Sequence, residues 1–127
     1  VKFADGFTHI PTRTFEYCTQ LNDVDLPDSL IGIGEYAFAY CEALESITIP
    51  ESVTTIENCA FSNCKSLTDI KIPSTVKTTR SGWFDSSFRK CPFVDTRKSM
   101  GVCLYCGGGF KGLFTTKCAR CGRKKDY

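Results

Sequence analysis

The 127 residues include one histidine, one tryptophan and one methionine, and these scarcities exclude several function classes. The lone His9 lies on a loop between the apolar residues Phe7 and Ile10 and reads as solvated, so neither a histidine-based catalytic relay nor a multi-imidazole metal centre is available. No apolar run approaches the roughly 18 to 20 residues that cross a bilayer as a helix. The opening VKFADGF lacks the basic start, apolar middle and small-residue cleavage site of a secretory leader. Because the chain starts on Val1, it reads as a fragment. The GxG within GIGEYA has neither a strand-to-helix context nor a phosphate-binding lysine, which excludes a nucleotide loop. No catalytic constellation is found, and a non-enzymatic protein is expected.

Acidic charge is scarce at one end. Residues 97–127 hold 8 basic side chains against 1 acidic, whereas residues 1–96 hold 8 against 13, and the two halves together leave a net charge of +2. This asymmetry implies two units, residues 1–96 and residues 97–127, with different surface chemistry.

The first unit repeats. LPDSLIGIGEYAFAYCEALESIT (residues 26–48) and IPESVTTIENCAFSNCKSLTDIK (residues 49–71) align without a gap over 23 positions. Residues 3–25 keep the period more loosely through Phe7, Ile10, Phe15, Cys18, Leu21 and Val24. Val1 falls where Ile47 and Ile70 stand, inside a strand. A fourth copy begins at IPSTV (residues 72–76) and resumes at FRKCPFV (residues 88–94), four residues late. The spacing LxxIxI in Leu44, Ile47, Ile49 and in Leu67, Ile70, Ile72 ends in strand alternation, with Pro50 and Pro73 closing each strand. A unit of this size buries its apolar side only by stacking on its neighbours, so the expected object is a solenoid with one short parallel strand per repeat.

The period, IPESVTTI and LPDSLIGIG, the pairs Ala37-Phe38 and Ala60-Phe61, and a cysteine three places before the first leucine resemble the BspA-like bacterial leucine-rich repeats. The resemblance covers about residues 1–96. It implies a curved leucine-rich-repeat solenoid, built of short parallel strands, loops and short helical turns, that serves protein binding or adhesion.

The nine cysteines fall into three groups. Cys18, Cys41, Cys64 and Cys91 share one repeat position and read as a buried structural ladder of thiols that donate to backbone carbonyls. Disulfides between successive rungs fit poorly, because equivalent side chains point in parallel. Cys59 takes the place of Tyr36 and Arg13 and reads as a surface residue. Cys103, Cys106, Cys118 and Cys121 form two CxxC pairs, followed by Gly107 and Gly122. That pattern presents four thiolates to a structural Zn²⁺ and looks like a zinc ribbon. Iron, two disulfides and a redox CxxC are the alternatives. With so few apolar residues, the segment is expected to order only around its metal.

Alternation places Asn22, Asp23, Asp25, Glu45, Ser46, Thr48, Thr68, Asp69 and Lys71 on the outer face of the strands. Of these, Asp23, Asp25, Glu45, Thr48, Asp69 and Lys71 are the candidate contacts for an unidentified, basic or polar protein partner, with a plain solvated sheet as the alternative. Trp83 and Phe84, in the inserted stretch, either cap the solenoid end or add to the contact surface, and Trp83 is kept among the candidates. Arg120, Arg123, Lys124 and Lys125 surround the ribbon and support a second reading, nucleic-acid binding. Ser29, Ser52 and Ser74 recur with the repeat and carry no evident chemistry. Free thiols and a thiolate metal site favour a reducing compartment over the cell surface.

Overall fold

The computed structural model describes residues 1–77, 83–100, 118, 120, 121 and 123, and the side chains of Trp83, Asp85 and Met100 lie outside that description. Strands β1 (His9–Ile10), β2 (Gly32–Ile33) and β4 (Thr55–Ile56) form a parallel sheet in the order β1-β2-β4. Strands β3 (Ser46–Thr48) and β5 (Asp69–Lys71) form a second parallel ladder, and a bridge from Lys2 to Asp25 continues its line. The registers His9 to Gly32, Gly32 to Thr55, Ser46 to Asp69 and Lys2 to Asp25 are each 23 residues apart. The period read from the sequence is therefore the pairing register of the fold.

The expectation of one strand per repeat needs correction. The LxxIxI segment gives β3 and β5 but only a bridge in the first copy, and a separate ladder forms around Ile10, Ile33 and Ile56. These three side chains are buried at 1 to 3% exposure, so the returning chain also contributes a strand to the core. Its strands are two residues long, too short for alternation to announce them.

The remaining side of each repeat is a run of turns, and it too is stitched from copy to copy. The N–H groups of Phe15, Phe38 and Phe61 donate to the carbonyls of Ala37, Ala60 and Ser87 at 2.8, 2.8 and 2.9 Å. Each turn run uses left-handed backbone at fixed places: Arg13, Tyr36 and Cys59 in one column, and Tyr17, Tyr40, Asn63 and Lys90 in another, with φ between 56° and 62°. Hydroxyls form a further series. Ser29 donates to Phe7 O, Ser52 to Leu30 O and Thr75 to Val53 O, at 2.6 to 2.8 Å. The sequence grouping of Ser29 and Ser52 with Ser74 was one residue off, since Thr75 occupies that place and does the bonding.

Inside, Phe15, Phe38, Phe61 and Phe88 stack nearly parallel, with ring centroids 5.2, 5.2 and 5.5 Å apart. The last copy ends in helices α1 (Trp83–Ser87) and α2 (Pro92–Met100). Pro92 suits a first helical position because its missing N–H would have had no partner there. Phe84 and Phe93 are buried and pack on Phe88, closing the core beyond the last stacked ring. Of the two readings for the inserted aromatics, Phe84 follows the capping one. The composition break at residue 97 falls inside α2, and Arg97 turns back to the solenoid: it lies over the Phe93 ring and its Nη2 donates to Ile70 O at 2.6 Å.

Candidate functional site

On the β3 and β5 ladder, buried and exposed residues separate by strand alternation. Val24, Leu26, Ile47, Ile49, Ile70 and Ile72 are all within 8% exposure, while Asp23, Asp25, Glu45, Ser46, Thr48, Thr68, Asp69 and Lys71 are exposed. A groove of about 430 Å³ runs between Lys2, Asp23, Asp25, Asp28, Ser46 and Thr48. Lys71 lies 3.5 Å from Glu51, both exposed, so the face keeps its acidic excess beyond the edge where Lys71 is partly neutralised. Glu45 also anchors the backbone, its carbonyl accepting from the N–H groups of Thr68 and Asp69. The structure brings these candidate contacts together on one surface.

The ladder cysteines lie on the turn side. Cys41, Cys64 and Cys91 are buried, and their thiols donate to Phe15 O, Phe38 O and Phe61 O at 3.3, 3.1 and 3.0 Å. Cys18 is half-buried at the outer end of the same column. Burial, then the neighbouring Cys64 and Cys18, push the Cys41 thiol up to about 12 from an ordinary 9.0. The Cys64 thiol is raised too, first by the neighbouring Cys91 and then by burial. Thiols held this firmly protonated are poor nucleophiles.

A second surface column was missed by the sequence reading. Arg13 sits over the Tyr36 ring at 4.4 Å while its Nη1 donates to both carboxylate oxygens of Glu16 at 2.6 and 2.7 Å. Beside it Tyr17, 62% exposed, stacks on Tyr40 with centroids 4.5 Å apart. The Tyr36 phenol is raised above its ordinary value, chiefly by its half-buried neighbour Cys59. The signal was present in the repeat: Tyr17 and Tyr40 stand 23 residues apart, as do Arg13 and Tyr36. The two glycines of GIGEYA also gain a reason. A Cβ on Gly32 would meet the side chains of His9 and Thr55 within 3 Å, and one on Gly34 would strike the backbone of residues 10–12 at 2.7 Å, so both permit close rung stacking.

Of the four cysteines expected to form a ribbon, Cys103 and Cys106 lie outside the described residues, as do Lys124, Lys125 and the side chain of Trp83. Cys118 is 3% exposed and joins the hydrophobic core, Cys121 packs half-buried against it, and the Arg120 N–H donates to Cys118 Sγ at 3.4 Å. Among the described residues no three His, Cys, Asp or Glu side chains converge as a metal site. Cys18, Cys41, Cys59, Cys64 and Cys91 are free thiols. Arg123, assigned from sequence to the basic surface of the tail, instead donates through Nη2 to Pro73 O at 2.8 Å and Val76 O at 2.6 Å, because those carbonyls lie at the end of the repeat stack. Arg120 is exposed.

A family model for a BspA-type leucine-rich repeat region of six copies matches residues 1–101. The chain belongs to the BspA-type leucine-rich repeat family. Its fold is similar to a leucine-rich repeat protein of Bacteroides capillosus, 33% identical over 67% of this chain and 59% of that one, with a TM-score of 0.57. A leucine-rich repeat protein of Bacteroides ovatus is 38% identical over 55% of this chain and 18% of that one, with a TM-score of 0.54. A leucine-rich cell surface protein of Faecalibacterium prausnitzii is 26% identical over 72% of this chain and 30% of that one, with a TM-score of 0.57. The chain thus spans less than two thirds of the length of each of these structures. No curated protein matches it. Among the described residues no helix is long and apolar enough to cross a membrane.

Proposed function

We propose that this chain is a non-enzymatic protein-binding scaffold and that the outer face of the β3 and β5 ladder is its contact surface. The observation that carries this reading is the acidic row of Asp23, Asp25, Glu45 and Asp69, exposed on rigid rungs whose alternate side chains are buried. Side chains held by paired backbone present a fixed charge pattern at little entropic cost, and that pattern complements lysine- and arginine-bearing protein surfaces. The test is retention of the chain on an immobilised lysine-rich peptide at low ionic strength. Salt-sensitive retention that is lost when Asp23, Asp25 and Asp69 become Asn and Glu45 becomes Gln supports the reading. Equal retention of the variant leaves the row as a solvated sheet. The nucleic-acid alternative gains no specific observation, since Arg123 is engaged on the solenoid.

We propose further that Cys103, Cys106, Cys118 and Cys121 hold one structural Zn²⁺. The paired CxxC spacing supports this, as does the Arg120 N–H on Cys118 Sγ, the type of amide contact that steadies a ligating thiolate. Four protein thiolates leave no coordination position for water or substrate, so the metal would order the segment and perform no chemistry. Native mass spectrometry reads the stoichiometry. One metal per chain, lost together with a protected set of four thiols on chelation, is the expected result; no bound metal overturns the assignment.

A further inference from the structure

Each copy carries the same four-residue turn: Ala4 to Phe7, Pro27 to Leu30, Pro50 to Val53 and Pro73 to Val76. The last N–H donates to the first carbonyl at 3.3, 3.0, 3.1 and 3.2 Å in that order, so the first turn is the loosest. Its third place is held by Gly6, Ser29, Ser52 and Thr75. In the later copies the hydroxyl at that place fastens the turn to the copy before, on Phe7 O, Leu30 O or Val53 O. Gly6 has no side chain to fasten. It is exposed, takes a φ of 81° in the left-handed region that Ser29, Ser52 and Thr75 avoid, and has open space where a Cβ would stand. Asp5 before it is exposed too, and among the described residues neither its carboxyl nor the Gly6 N–H is engaged in a hydrogen bond or ion pair.

Asp-Gly occurs once in the sequence, at this turn. We propose that Asp5-Gly6 is a site of spontaneous isomerisation to isoaspartate, and that the change loosens the first copy while the later copies hold. The Gly6 amide nitrogen attacks the carbonyl carbon of the Asp5 carboxyl, a C–N bond forms, and the amide hydrogen leaves with the carboxyl hydroxyl as water. The product is a five-membered succinimide. Water then opens the ring: breaking the bond from nitrogen to the side-chain carbonyl restores aspartate, and breaking the bond to the main-chain carbonyl gives isoaspartate, with one more carbon in the backbone. Water is the one reagent, and nothing is oxidised or reduced. Glycine favours the attack because no Cβ shields its nitrogen and its backbone turns freely. Asp5 and Gly6 border an open hollow of about 570 Å³ with Lys2, Asp25 and Asp28, so water reaches the ring. Asp28 is the built-in comparison, since it holds the same place in the next turn but is followed by Ser29, whose hydroxyl is fastened. The added carbon falls just before Phe7, whose ring stacks on Phe3 at 5.2 Å and whose carbonyl accepts from Ser29.

Prolonged incubation of the full chain at neutral pH in water enriched in heavy oxygen, followed by tryptic digestion and mass spectrometry, tests this. Cleavage after Lys2 and Arg13 isolates residues 3–13. That peptide is expected to split into two chromatographic forms, the new one carrying one heavy oxygen and yielding isoaspartate fragments under electron-transfer dissociation, while Asp28 stays unchanged. Asp5→Glu, which keeps the charge but needs a six-membered ring, should lose the new form. On the converted chain, exchange of the Ile31 and Gly32 amides, which both donate to Thr8 O, is expected to quicken by about tenfold, with the Leu67 amide on Cys64 O unchanged. A peptide that stays single, or converts no faster than Asp28, overturns the site. Conversion without faster exchange at Ile31 and Gly32 overturns its effect on the first copy.

Discussion

The thiol of Cys64 donates to the carbonyl oxygen of Phe38, 3.1 Å away and one copy earlier, where that oxygen already accepts the Cys41 N–H at 3.3 Å. The same arrangement holds for Cys41 on Phe15 and Cys91 on Phe61. Cys41, Cys64 and Cys91 therefore each end their own turn and fasten the turn before it. Because that carbonyl keeps its amide donor when the thiol is changed, the cost falls on the replacement side chain, which must bury a more polar group in the same place. Cys64→Ser, with a shorter reach and a stronger desolvation cost, is expected to lower stability by about 1–2 kcal/mol in denaturant unfolding. Cys59→Ser, which keeps a hydroxyl beside Tyr36, should stay within about 0.5 kcal/mol of the parent. Equal effects at the two positions would contradict the ladder.

The phenylalanine stack gives a graded expectation. Phe38 is fully buried between two parallel rings, while Phe15 at the outer end is half-buried. Phe38→Ala should cost about 3–5 kcal/mol. Phe15→Ala should cost clearly less, because part of its ring already meets solvent. Urea midpoints of the two variants, compared at equal slope, decide the order.

Lys90 is exposed, with a φ of 61°. Holding an L-residue there costs about 1–2 kcal/mol, and glycine removes most of that while giving back part as chain entropy. Lys90→Gly is expected to stabilise the chain by about 0.5–1 kcal/mol, read as a higher melting temperature. Arg13→Gly should gain less, because it also removes the contacts with Tyr36 and Glu16.

Alkaline pH should weaken the solenoid. The folded Cys41 thiol titrates near 12 and an unfolded one near 9.0, so between these values the native chain binds more protons than the unfolded chain. Stability is then insensitive to this thiol below about pH 8 and falls as pH rises from 9.0 toward 12. Denaturant midpoints at pH 7, 8.5 and 10 should show the decline. Cys41→Ala, starting from a lower value, should show a shallower one.

The repeat was readable because its period is a hydrogen-bonding register, and a gapless match from residue 26 to residue 71 leaves little freedom in how the copies stack. The second ladder was not readable: Gly32 and Ile33 in one copy, and Thr55 and Ile56 in the next, share a place but no alternating pattern. The acidic row followed from alternation around Ile47 and Ile70. Arg97 and Arg123 left no trace in the sequence, since their acceptors are backbone carbonyls exposed only where the copies run out. A basic composition there read as a surface for outside partners, although part of it serves the chain itself.

The last copy also carries four extra residues, so that Cys91 bonds across 30 positions where Cys41 and Cys64 bond across 26. Phe88 nevertheless takes its place in the stack at 5.5 Å from Phe61. The stack therefore absorbs a change of length in the chain between Val76 and Phe88 without passing it on to the buried column, so the spacing of the rings is set by their own packing and not by how many residues connect them.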